Sequence, residues 1–93
     1  MTPNETRGFP TQIEGLEIYT EADGYVVYQA TQDKVHFLNS TAVFVLELCN
    51  GRHEVHEMAD IFGETFKDEK DPEKAVTEIV NQFVQEGLVK IGE

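Results

Sequence analysis

Residues 35–51 read Val35-His-Phe-Leu-Asn-Ser-Thr-Ala-Val-Phe-Val-Leu-Glu-Leu-Cys-Asn-Gly51, a short strand run that passes at Asn39 into an apolar helix. Val35, Phe37 and Leu38 suit a pleated surface, whereas Asn39 can accept a hydrogen bond from the free N–H groups of a helical first turn. Beyond it Ala42, Val45, Leu46 and Cys49 recur at helical spacing, and Val43, Phe44 and Leu48 widen the apolar face. A helix apolar on most sides belongs in the middle of a core. Asn50-Gly51 closes it with residues suited to a left-handed cap.

Upstream, Pro3, Gly8 and Pro10 stand among polar residues, so residues 1–12 are expected to be a flexible N-terminal segment, with one domain over 13–93. Leu16 and Ile18 alternate with Glu17. Ala22-Asp23-Gly24 supplies turn chemistry before the strand former Tyr25-Val-Val-Tyr-Gln-Ala30, and Thr31–Lys34 makes a second turn before Val35–Leu38. The simplest arrangement is a three-stranded antiparallel meander.

Downstream, Val55, Met58, Ala59, Phe62 and Phe66 form an amphipathic stripe, predicting a second helix from about Glu54 to Phe66 that Gly63 weakens. Lys67–Lys70 is a charged connector. Asp71-Pro72 is a helix start, since Asp caps and proline is tolerated in a first turn. Ala75, Val76, Ile79, Val80, Phe83 and Val84 form the stripe of a third helix that Gly87 stops, and Leu88–Ile91 returns as a short strand. The fold class is α+β, a three-stranded antiparallel sheet followed by a three-helix bundle.

Ninety-three residues leave little room for a deep internal pocket. Seven Lys plus Arg against 18 Asp plus Glu give a formal charge of -11, which repels phosphate backbones and anionic lipid, so neither nucleic acid nor membrane is an expected partner. The longest apolar run, Ala42–Leu46, is far too short to span a bilayer. No basic flank and apolar core of a secretion signal is visible near Met1. Together with the single cysteine, these features predict a soluble cytoplasmic protein.

Cys49, His53 and His56 fall within eight residues and invite a metal reading. Closed zinc sites need four protein ligands, however, and Cys49 sits on the apolar helix face, so a buried thiol and surface imidazoles are the better reading. Sequence proximity of a thiol and a histidine does not make a nucleophile either. No phosphate-binding glycine loop, GxSxG turn or HExxH helix is present, and one cysteine cannot cradle an iron–sulfur cluster. The expectation is a protein without catalytic residues, metal or cofactor.

Binding is better supported. An edge strand offers unpaired N–H and C=O groups to an incoming extended peptide. Lys34, Val35, His36, Phe37 and Leu38 form such a strand, with His36 and Leu38 on the face opposite Val35 and Phe37. A groove between that strand and the third helix would place Val76, Ile79, Val80 and Phe83 against a bound segment. The competing role for each of these four is the core. An apolar edge could also pair with itself, so monomer and homodimer both stay open.

Three motifs carry a family resemblance in matching order: Leu38-Asn39 with Thr41-Ala42, then Leu46-Glu-Leu-Cys-Asn-Gly51, then Val84-Gln-Glu-Gly-Leu-Val89. From about Gly24 to Ile91 the chain resembles coenzyme PQQ biosynthesis protein D (PqqD) and the wider set of RiPP recognition elements. The resemblance implies a winged-helix-like domain without catalytic activity. Its third strand and third helix would hold the leader of a ribosomally synthesised precursor peptide, here Lys34–Leu38 with Val76, Ile79, Val80 and Phe83. It also implies a maturation enzyme as second partner, often a radical SAM protein. A winged-helix transcription regulator is the main alternative, but residues 72–87 set Glu73, Glu78 and Glu86 against Lys74 alone. Another protein-interaction domain is the second alternative.

Overall fold

The computed structural model describes residues 8–92 and builds them around the helix that follows Asn39. In α1 (Ser40–Leu48) the Asn39 side-chain oxygen accepts from the Ala42 N–H at 2.8 Å, as its N-cap position requires. Val45, Leu46 and Cys49 are fully buried, which places α1 at the centre of the core. Gly51 takes φ +80°, a conformation that suits glycine, and lets the chain turn away.

The meander forms as expected. Strands β2 (Leu16–Glu21), β3 (Gly24–Gln29) and β4 (Lys34–Leu38) pair antiparallel in the order β2-β3-β4. Ala30–Gln32 make a short 3₁₀ turn between β3 and β4, and Asp33 adopts the left-handed region at φ 53°. The Tyr28 hydroxyl donates to the Asp33 carboxylate at 2.9 Å and braces that turn.

The flexible segment expected over residues 1–12 needs correction at its end. Phe9–Gln12 form a strand, β1, antiparallel to β5 (Val89–Gly92), and residues 1–7 lie outside the described residues. Pro10 is fully buried there, which a two-stranded edge tolerates because proline owes no donor to the outer side. Gln12 fixes the segment further, donating from its amide nitrogen to the Leu46 carbonyl at 2.9 Å and from its backbone N–H to Cys49. The expected return strand after Gly87 exists, but it pairs with β1 rather than with the meander.

Both remaining helices start where their caps predict. α2 (Val55–Thr65) opens on a reciprocal capping box between Glu54 and Glu57, and α3 (Pro72–Gln85) opens with Asp71 accepting from the Lys74 N–H at 3.2 Å. Val55, Met58, Ala59 and Phe62 meet Val76, Val80 and Phe83 across the interface of the two helices. Phe44, Phe62 and Phe66 cluster with ring centroids 4.7–6.1 Å apart, and such pairs add about 0.5–1.5 kcal/mol each beyond area burial.

Candidate functional site

β4 is the edge of the three-stranded sheet; among the described residues it pairs with β3 alone. Alternation along the strand turns Val35 and Phe37 outward, where they are 51% and 80% exposed, and turns His36 and Leu38 toward the helices. The cross-strand register aligns Tyr19, Val26 and Phe37 in one outward row. The Tyr19 hydroxyl donates to Glu17, and that carboxylate holds the phenol above its usual range.

Between the inner side of β4 and α3 lies an open cleft of about 430 Å³. His36, Phe37 and Leu38 line one wall, Ala42 of α1 closes the base, and α3 supplies Glu78, Ile79, Gln82 and Phe83, with Glu86 at its C-cap. At about 100° per residue, Val76, Val80 and Phe83 point to one side of α3 and Glu78 with Gln82 to another, while Ile79 occupies the boundary and Phe83, 1% exposed, reaches the cleft only as its floor. The floor is therefore apolar and the helical rim acidic.

A hydrogen-bonded chain ties the two walls together. Gln29, fully buried on β3, donates from Nε2 to the Gly87 carbonyl at 3.1 Å and presents Oε1 to His36 Nε2 at 2.9 Å. His36 Nδ1 lies 3.6 Å from Glu86 Oε1, while Glu86 Oε2 accepts from Gln82 at 2.8 Å. Glu86 is thus bonded along its own wall and faces His36 of the other. A second cleft of about 420 Å³ lies at the other end of β4, lined by the β2–β3 turn with Phe37, Leu38 and Asn39.

Of the nine residues proposed from sequence, His36, Phe37, Leu38, Ile79 and Phe83 come together in the cleft. Lys34 and Val35 share the edge strand but do not line it. Val76 and Val80 do not line it: both are fully buried in the core, as is Phe83 apart from the part that floors the cleft. Sequence reasoning missed Ala42, Glu78, Gln82 and Glu86 as lining residues. The four-residue spacing of Glu78, Gln82 and Glu86, each adjacent to Ile79 or to the Phe83 turn, is the signal that could have found three of them.

Cys49 is a free thiol fully buried at the end of α1. Burial pushes its thiol up to about 12, and its Sγ donates to the Val45 carbonyl at 3.3 Å. Among the described residues no three His, Cys, Asp or Glu side chains converge as a metal site would need. No helix among them is long and apolar enough to cross a membrane.

The fold has a solved counterpart. A structure described as lasso peptide synthetase B1 complexed with the leader peptide superposes with a TM-score of 0.71 at 16% identity, over 87% of this chain and 96% of that one. No curated protein matches the chain in sequence. Residues 24–89, more than two-thirds of the chain and spanning β3 through the start of β5, match the family described as coenzyme PQQ synthesis protein D (PqqD). The chain belongs to the PqqD family.

Proposed function

We propose that this protein is a non-catalytic recognition element that binds the leader of a ribosomally synthesised precursor peptide and presents it to a maturation enzyme. The observation that carries the reading is the edge of β4, unpartnered among the described residues, beside an apolar-floored cleft. A leader adding as a strand would satisfy the outward N–H and C=O groups of Lys34–Leu38 and lay alternate side chains against Ile79 and Phe83. The counterpart described as lasso peptide synthetase B1 complexed with the leader peptide supports a leader as the ligand.

Energetics favour a reversible complex. Each backbone hydrogen bond contributes about 1 kcal/mol net, whereas ordering each leader residue costs about 1–2 kcal/mol. Backbone pairing alone therefore does not suffice, and apolar contacts in the cleft must supply the surplus. Affinity should be moderate and compatible with release. The protein then acts by raising the local concentration of the peptide beside its enzyme, often a radical SAM protein in the families it resembles.

The α+β arrangement is taken as winged-helix-like in this reading, but its cleft meets peptide rather than DNA. Glu78 and Glu86 at the opening would oppose phosphates. A cytoplasmic setting, where precursor and enzyme are made, completes the proposal.

Fluorescence anisotropy with labelled candidate leader peptides tests it. Phe37→Pro, which disturbs the edge strand, and Ile79→Glu, which charges the cleft wall, should each abolish binding while circular dichroism shows a retained fold. Unchanged affinity in both folded variants would overturn strand addition at this site.

A further inference from the structure

We infer, on the footing of the peptide-binding reading above, that the groove selects an apolar segment bearing a Lys or Arg and discriminates against an acidic one. Two clefts flank β4 and meet at Phe37 and Leu38. Glu78 and Glu86 line the first and Glu21 and Asp23 the second, while among the described residues no Lys or Arg lines either. An occupant of this path meets carboxylates at both ends.

General acidity does not account for Glu86. Its Oε2 accepts from Gln82 at 2.8 Å, which orients the carboxylate, and its Oε1 faces His36 across the cleft end at 3.6 Å. A charge already held in position loses less freedom on meeting a cation than a free surface side chain does. Its side chain is 36% exposed, open enough to be reached and partly shielded from solvent.

The spacing defines the ligand further. Side chains of an added strand that face α3 recur every two residues, about 6.8 Å apart, and Ile79 and Phe83 are one helical turn apart, about 6 Å. Two α3-facing apolar side chains therefore match this pair, one against the half-buried Ile79 and one above the buried Phe83 at the cleft floor. Because His36 of β4 meets Glu86, the next α3-facing side chain beyond Phe83 reaches toward that carboxylate. The intervening residues face outward beside Val35 and Phe37, whose exposure favours apolar neighbours there as well. The ligand pattern is apolar-x-apolar-x-Lys or Arg, in whichever chain direction the segment pairs.

Anisotropy titrations with terminally blocked, labelled 12-residue peptides test this. They carry the apolar-x-apolar-x pattern followed by Lys, Gln or Glu, each in both chain directions and at low salt. Affinity should fall in the order Lys, Gln, Glu, with about tenfold between the extremes. Glu86→Gln should shrink that gap to about threefold or less, whereas Glu64→Gln, the same charge change on exposed α2, should leave it. Equal affinities for the three peptides, or a gap that Glu86→Gln and Glu64→Gln change alike, would overturn the charge selection and leave strand addition standing. Failure of every peptide to bind would overturn both.

Discussion

Oε1 of Gln29 stands 2.9 Å from Nε2 of His36, and the same amide donates to the carbonyl of Gly87 at 3.1 Å. One fully buried side chain thereby joins the edge strand of the sheet to the end of α3. With the amide nitrogen directed at Gly87, its oxygen faces the imidazole, so Nε2 of His36 carries the proton. Gln29→Leu leaves a carbonyl and a ring N–H without partners. It should cost about 1–3 kcal/mol in chemical denaturation, and it should weaken leader binding beyond that by freeing His36 and Glu86.

Much of this fold is legible in the sequence because its signals are local. Asn39, Asp71 and Gly51 are caps that act within one helical turn, and the period-two strands lie on either side of Asp23-Gly24. β1 is not legible in that way: its hydrogen bonds go to β5 and to Cys49, far along the chain, and its Pro10 reads locally as a loop residue. The site divides similarly. Alternation separates His36 and Leu38 from Val35 and Phe37 without saying which pair faces inward, and the α3 stripe is wider than the cleft. Val76 and Val80 belong to its core side, and only packing against α2 and α1 decides where core ends and groove begins.

Removal of residues 1–12 tests the role of β1. A loose lead-in would come off without consequence. Pairing with β5, burial of Pro10 and the Gln12 bonds to Leu46 and Cys49 predict instead a loss of at least 2 kcal/mol, about 8–16 °C in Tm by differential scanning calorimetry.

Neighbouring residues of α3 should separate cleanly into binding and stability. Val80→Ala empties core volume and should cost about 2 kcal/mol while leaving the affinity of the folded fraction near wild type. Ile79→Ala, at the cleft wall, should weaken leader binding severalfold with a smaller loss of stability. Urea melts and anisotropy on both variants make the comparison.

Burial raises the Cys49 thiol from 9.0 to about 12, so the folded chain keeps it neutral at pH values where the unfolded chain ionises it. This group leaves stability unchanged below pH 9 and lowers it as pH rises from there toward 12, because only the unfolded state releases the proton. A thiol reagent at pH 8 should react with the native protein slowly and with the guanidinium-unfolded protein at once. Cys49→Ala should leave leader binding intact.

The central claim is that the leader becomes a fourth strand on β4. Isotope-filtered NOE spectroscopy of the labelled protein with unlabelled leader tests it most directly. We predict cross-strand contacts between leader α-protons and backbone protons of Lys34–Leu38, with side-chain contacts to Ile79 and Phe83. A bound leader whose contacts lie elsewhere, with the β4 amide resonances unmoved, would contradict it.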